Sequence, residues 1–244
     1  MSTKLFVTAD VHGHYTELMK ALNEAGFDKD NPSHYFVSCG DLFDRGTENI
    51  EMYQFVKGLR RKFLIKGNHE EDLYNALQRG YLKGNEVHNG TDITVLQLLG
   101  IDAIKSGNII NTEKYKDKIY EICSLIDYMR DYYEAGKYIF VHGWLPVSMD
   151  DNKNFYIKEN WRRATNEEYH DSRWCDWSEA YDKRLTVKDK IIVCGHRPAR
   201  RGSYYDLTRQ PDQDDPFYGD GVIALDPYVV ESGKINVIVL EPFD

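Results

Sequence analysis

The sequence predicts an α/β fold with its strands at the centre. Short apolar runs rich in β-branched and aromatic residues recur along the chain, and the early runs are separated by segments with helical periodicity. A third observation marks where chemistry would sit: each of these runs ends in a glycine-containing turn that carries Asp, Asn or His.

The first run, Leu5–Val7, precedes Tyr15, Leu18, Met19, Leu22 and Ala25, which follow i, i+3, i+4 spacing up to a stop at Gly26. The second, Tyr35–Val37, precedes a stripe of Ile50, Tyr53 and Val56 closed by Gly58. Phe63–Ile65 is the third. From about 70 to 135 no strand is predicted. There Tyr115, Ile119, Ile122, Ile126, Met129 and Tyr133 step by four and three through one long amphipathic helix, so 70–135 reads as a helical insertion covering one side of the domain. Strands resume at Tyr138–Val141 and Ile191–Cys194, while 150–190 has no clean period and 200–220 reads as a long loop. The C-terminal part reads as two strands, Val222–Leu225 and Ile235–Leu240, joined by a turn at Glu231-Ser232-Gly233-Lys234. With no linker and no repeat, 1–244 is expected to form a single domain.

Composition narrows the function classes. In 244 residues, 41% hydrophobic and 13% aromatic content supplies a core without disulfides. The longest apolar runs fall far short of the roughly 20 residues a membrane span needs, and no hydrophobic signal region follows Met1. A net charge of −9 disfavours nonspecific binding to nucleic acid or to anionic membranes. Cys39, Cys123, Cys175 and Cys194 show no CxxC spacing and read as thiols of a reducing compartment, so a cytoplasmic location is expected.

The strand ends carry the functional signal. They read Asp10-Val11-His12-Gly13, Gly40-Asp41-Leu42-Phe43-Asp44-Arg45-Gly46, Gly67-Asn68-His69-Glu70, His142-Gly143 and Gly195-His196. In open α/β sheets, ligands bind at the carboxyl ends of strands, so five ends can gather these side chains at one spot. Asp, Asn and His together suit Mn²⁺, Fe or Zn²⁺, whereas Ca²⁺ takes oxygen only. Two such ions about 3.5–4 Å apart, linked by a shared carboxylate, form a clamp for phosphoryl transfer. Taken singly, a strand-end Asp or His is more often a turn former, and Asp44-Arg45 alone would read as a surface ion pair. The functional reading rests on their coincidence: His12, His69, His142 and His196, four of eight histidines, all sit at strand ends. His14, His34, His88 and His170 have no such placement and are read as structural.

Taken in order from Asp10 to His196, the series Asp-x-His-Gly, Gly-Asp-x-x-Asp-Arg-Gly, Gly-Asn-His-Glu, His-Gly and Gly-His resembles the calcineurin-like metallophosphoesterases. Within them it is similar to the phosphoprotein phosphatase branch with its bacterial and bacteriophage serine/threonine phosphatases, which the Arg-Gly of the second motif and the Glu of the third mark. The resemblance implies a β-sandwich core flanked by helices, with two divalent ions at one edge, Mn²⁺ foremost and Fe or Zn²⁺ as alternatives. It implies Asp10 and His12 on the first ion, Asp41 bridging, and Asn68, His142 and His196 on the second. Arg45 would bind the phosphate, with neutral Asn68 tolerating a phosphate oxygen beside it. A second phosphate-binding arginine is expected about two dozen residues before the last His, where Arg173 fits better than Arg162, Arg163 or Arg184.

The implied reaction is phosphomonoester hydrolysis. A hydroxide bridging the ions attacks in line, and His69, oriented by Asp44, protonates the leaving group. The expected substrate is a phosphoserine or phosphothreonine protein, or a small phosphoester. An alternative is a symmetrical dinucleoside tetraphosphate hydrolase, because His196-Arg197-Pro198-Ala199-Arg200-Arg201 puts three arginines beside the second ion. A non-catalytic metal-holding scaffold is the second alternative, and it has no need of His69 with Asp44. The strand after the last His ends Leu225-Asp226-Pro227-Tyr228, where members of the branch commonly carry Asp followed by a Gly-rich turn. That departure leaves Asp226 as a further candidate and implies a different substrate groove.

Overall fold

The computed structural model describes residues 2–243. The chain begins with β1 (Lys4–Thr8), α1 (Tyr15–Glu24), β2 (His34–Ser38), α2 (Asn49–Gly58) and β3 (Lys62–Leu64). A helical stretch follows: α3 (Asn68–Arg79), α4 (Gly84–His88) and α5 (Thr91–Leu99), then a small hairpin of β4 (Ile104–Lys105) and β5 (Ile109–Ile110), then α6 (Lys116–Tyr128). The second half runs β6 (Tyr133–Ala135), β7 (Tyr138–Phe140), a hairpin of β8 (Val147–Met149) and β9 (Phe155–Ile157), α7 (Asn166–Arg173), α8 (Trp177–Asp182) and β10 (Ile191–Cys194). It closes with β11 (Phe217–Gly219), β12 (Val222–Ala224), α9 (Val229–Ser232) and β13 (Ile238–Leu240).

Two sheets face each other. One has the order β13-β1-β2-β3, with β1, β2 and β3 parallel; the other has the order β11-β12-β10-β7-β6, with β12, β10 and β7 parallel. Period-two alternation sorts each strand's side chains between two cores. Leu5 and Val7 of β1, with Val193 of β10, fill the layer between the sheets. Phe6 turns outward to a helical layer that includes Leu18, Met52 and Leu73. On the far side, Ile192 and Cys194 of β10 pack beneath Trp144, Trp161 and Trp177. Because both faces of each central strand are buried, the strands read in sequence as continuous apolar runs. The expected β-sandwich flanked by helices is therefore present, and all four cysteines are free thiols. Among the described residues, no helix is long and apolar enough to cross a membrane.

Four expectations need correction. The predicted long helix stops at Tyr128, Met129 is extended, and Tyr133 belongs to β6. Tyr133 continues the helical period in sequence, but its ring stacks on Phe63 at 3.7 Å in the inter-sheet layer, so sheet packing overrides the local pattern. The stretch from 70 to 135 is accordingly not strand-free, since it also contains the β4–β5 hairpin, too short to show a period. Finally, the two C-terminal strands are not joined by a simple turn. α9 lies between them, and the chain crosses from β12 in one sheet to β13 in the other. The predicted 200–220 loop holds a 3-10 turn, Ala199–Tyr204, and β11.

Candidate active site

The parallel strands of both sheets deliver their carboxyl ends to one edge. Asp10 and His12 follow β1, Asp41 follows β2, Asn68 and His69 open α3 after β3, His142 follows β7, His196 follows β10 and Asp226 follows β12. The turns there are sharp. Asp10, His12, Asp41, Asp44, Arg45 and His196 all have left-handed backbone, with φ between 47° and 72°. Each such non-glycine residue costs on the order of 1–3 kcal/mol, a concentration of strain found at functional sites. Cross-links between loops hold it in place: the backbone N–H of Asp10, His12 and Gly13 donate to Gly40, Asp41 and Leu42 carbonyls at 3.1, 2.9 and 2.8 Å. Gly40 itself needs to be glycine, with φ at 98° and His142 Nδ1 only 2.7 Å from where a Cβ would stand.

Glu70 is a structural hub that the sequence reading used only as a family mark. Fully buried, its carboxylate accepts the backbone N–H of Asp41 (2.9 Å), Leu42 (2.7 Å) and Gly67 (2.8 Å), locking the second strand-end loop to the third. The local sign of it is an acid three residues after a helix-start glycine. His14, read as structural, holds the first loop through Nδ1, which lies 2.7 Å from the His12 carbonyl.

Ligating atoms of His12, Asp41 and His69 converge within 4.8 Å of one another, and so do those of Asp41, His142 and His196. Asp41 is common to both groups. His12 Nδ1 donates to the Phe43 carbonyl at 3.0 Å and His142 Nδ1 to the Cys39 carbonyl at 2.8 Å, which turns the Nε2 of each ring inward. His142 Nε2 then meets Asn68 Oδ1 at 2.8 Å and Asp41 Oδ2 at 3.3 Å. An imidazole nitrogen, an amide oxygen and a carboxylate oxygen converging on one spot form a ligand set for a cation. Among the described residues, His196 Nε2 is buried with no hydrogen-bond partner, an orphaned ligand atom aimed at the same place. The donor set thus fits divalent ions. Asp10 is buried too, but its carboxylate accepts the His196 N–H at 2.9 and 3.0 Å and lies outside the two convergent groups.

Charges in this edge are strongly coupled. Burial tends to raise Asp41, but His142 and His69 outweigh it and hold the carboxyl well below its usual range. Burial, then Asp226 and Asp41, drive Asp10 well above it. Burial, then His69, keeps His12 well below the imidazole range; burial, then His142, brings His196 down to about 3. Burial also works to lower His69 and His142, yet Asp41 outweighs it and both end raised.

His69 Nδ1 donates to Asp44 Oδ2 at 2.9 Å, and its Nε2 lies 3.2 Å from Arg45 Nη2. Arg45 is exposed, at the mouth of the site, while Asp44 is fully buried. Thr91 and Thr94 of α5 also donate to Asp44. No motif announces them, since they lie nearly fifty residues away in sequence. Arg173 is buried with its guanidinium bound by Glu71, at 2.9 Å, and by Asp131; among the described residues it makes no hydrogen bond to the convergent groups. Two of the three arginines of the run are paired: Arg200 with Asp214 and Glu231, and Arg201 with Asp176, while Arg197 lies 4.0 Å from Asp176. Asp226 is buried, accepts the Tyr228 N–H at 2.7 Å, and is pushed up to about 6 by its burial.

Comparison with known proteins agrees with this geometry. The chain is 28% identical over 209 residues to an asymmetrical bis(5'-nucleosyl)-tetraphosphatase of Bacillus subtilis, covering 80% of this chain and 79% of that one. It is 33% identical over 92 residues to the serine/threonine-protein phosphatase PP1-delta of Caenorhabditis elegans, covering 36% of this chain and 29% of that one. The fold matches a protein serine/threonine phosphatase from Saccharomyces cerevisiae with a TM-score of 0.53 at 15% identity, covering 99% of this chain and 73% of that one. The profile of the calcineurin-like phosphoesterases matches residues 3–238. This chain belongs to the calcineurin-like phosphoesterase family, whose members are dinuclear-metal phosphoester hydrolases.

Proposed function

We propose that the protein hydrolyses phosphomonoesters of the phosphoserine and phosphothreonine type. One observation carries this: a buried His69–Asp44 pair opens beside the exposed Arg45, while two of the three arginines that could grip further phosphates, Arg200 and Arg201, are already tied to carboxylates. Asp10 and His12, Asp41 between, and Asn68, His142 and His196 would hold the two ions. That His, Asn and Asp set is compatible with Mn²⁺, Fe or Zn²⁺, and the family resemblance puts Mn²⁺ first. When bound, the ions supply positive charge and acidify water.

The chain's own residues do the rest. Arg45 grips two phosphate oxygens with its planar fork, which a lysine cannot match. Asp44 fixes the His69 tautomer by accepting from Nδ1, so that Nε2 handles the proton passed to the leaving alkoxide. Burial keeps His12 and His196 neutral, with lone pairs free. Arg173, expected as the second phosphate-binding arginine, is buried with its guanidinium held by Glu71 and Asp131, the same kind of tie as on Arg200 and Arg201, so Arg45 is the phosphate-binding arginine of this reading.

A second reading, cleavage of a dinucleoside polyphosphate, is favoured by the similarity to the Bacillus subtilis protein over four fifths of both chains. Steady-state hydrolysis by chelator-stripped protein reloaded with Mn²⁺ separates the two. A higher kcat/KM on a phosphothreonine peptide than on diadenosine tetraphosphate supports the first. The reverse preference transfers the function to the second, and the products, two ADP or ATP with AMP, then tell symmetrical from asymmetrical cleavage. Turnover of neither substrate rejects both readings, and failure on every phosphoester tried returns the metal-holding scaffold.

A further inference from the structure

Asp44 is fully buried, and its two carboxylate oxygens receive three donors. Oδ2 accepts from His69 Nδ1 at 2.9 Å and from Thr91 Oγ1 at 2.7 Å, while Oδ1 accepts from Thr94 Oγ1 at 2.6 Å. Thr94 Oγ1 in turn accepts the backbone N–H of Asp44 at 3.1 Å, which also reaches Asn49 Oδ1 at 3.1 Å. Both threonines are fully buried in the first part of α5, so neither hydroxyl can turn to water instead.

The ordinary role of a helical threonine is to bond the carbonyl four residues back. Here that contact, Thr94 Oγ1 to the Gly90 carbonyl, is the long one at 3.4 Å, and the single hydroxyl proton goes to the nearer, charged Asp44. The torsion that rotates an aspartate's carboxylate plane is soft and roughly two-fold, so the backbone of Asp44 does not fix that plane by itself. The two hydroxyls, one on each oxygen, do.

We infer that Thr91 and Thr94 are positioning residues for the reaction: from α5 they set the plane of the Asp44 carboxylate and thereby aim the His69 ring at the departing oxygen. This gives the helical segment over the first sheet a part in turnover besides covering the core. It rests on the proton-donor role proposed above for His69.

The test compares two leaving groups on one preparation, so that the ratio is independent of how much protein is folded. An alkyl phosphate such as a phosphoserine peptide needs a proton on its leaving oxygen, whereas p-nitrophenyl phosphate departs as a stable anion. For the Thr91→Val/Thr94→Val double variant we expect kcat on the peptide to fall about 10- to 100-fold, as for a misaimed catalytic group. KM should stay within about twofold and kcat on p-nitrophenyl phosphate should fall much less. Thr91→Ser/Thr94→Ser, which keeps both hydroxyls, should restore the wild-type ratio. In metal-free protein the downfield NMR resonance of the His69 Nδ1 proton should move in the valine variant and return in the serine variant. His69→Asn is the reference. If it shows the leaving-group selectivity and the valine variant does not, the positioning role is overturned while the role of His69 stands. If His69→Asn shows no selectivity, the proton-donor reading falls and the inference falls with it. Equal losses on both substrates in the valine variant, or no loss on either, also overturn it.

Discussion

At the edge of the β13-β1-β2-β3 sheet, every strand-end loop is tied to the next by hydrogen bonds. Glu70 collects three backbone N–H groups, Asp44 collects three side-chain donors, and His12 bonds the Phe43 carbonyl. At the edge of the facing sheet the hold differs at the ring. The His196 N–H donates to the Asp10 carboxylate and His142 Nδ1 to the Cys39 carbonyl, but the His196 ring meets His142 and Trp174 edge-on, at 5.1 and 5.7 Å, and among the described residues its Nε2 has no hydrogen-bond partner. The proton transfer and phosphate capture proposed above fall on the first, hydrogen-bonded side, where misalignment is most costly. The other side presents lone pairs that a cation completes.

The largest effect should come from the rigid side's reacting group. His69→Asn removes the proton donor and keeps a similar size, and turnover of alkyl phosphates should drop about 10²- to 10⁴-fold. Steady-state kinetics on a phosphoserine peptide measures it, and turnover near wild type would remove His69 from the reaction. Glu70→Gln comes next. An amide cannot accept on both sides, so a backbone N–H that Glu70 now satisfies would lose its acceptor. We expect a loss of stability of about 1–3 kcal/mol and a fall in metal affinity of about 10- to 100-fold, read by chemical denaturation and by metal titration. The matching cut on the other side is smaller. Trp174→Ala removes a ring contact worth about 0.5–1.5 kcal/mol, and metal titration should show a weaker effect than for Glu70→Gln. A Trp174 effect equal to or above that of Glu70 would erase the distinction between the two edges.

How much of this was legible in the sequence follows from the same contrast. The strand-end turns were visible because Asp, His and Asn stand next to glycines at the ends of apolar runs, so motif and geometry coincide locally. The β-sandwich came from the family resemblance, since alternation between two buried faces looks the same as one continuous apolar run. Thr91, Thr94 and Asn49 were invisible because their contacts with Asp44 are made across loops, and nothing around them departs from ordinary helix or turn composition. Arg173 was selected by spacing alone. The fold places it on Glu71 and Asp131, carboxylates whose partner no local pattern reveals. Tyr133 failed for the opposite reason: it continued a local period that tertiary stacking on Phe63 overrides.

The weakest expected effect tests whether the well-tied side is free of cost. On α3, Asp72 has one carboxylate oxygen, Oδ2, buried with no hydrogen-bond partner. Burial, then Glu86, pushes its carboxyl from the ordinary 3.8 up to about 6, with His69 pulling the other way. The folded form therefore binds this proton more tightly than the unfolded chain. The stability linked to it is fully present below the unfolded value near 3.8 and is lost as the pH rises through about 6. At neutral pH Asp72 is charged and opposes folding. Asp72→Asn keeps the shape and removes the charge, so its Tm should exceed that of the wild type at about pH 7, with the difference shrinking to nothing by about pH 4. Thermal melts at stepped pH with metal held constant would show it. A Tm difference that does not change with pH would assign the cost to the unpartnered oxygen and not to its charge, and the hydrogen-bonded edge would then carry a packing fault within its own helical layer.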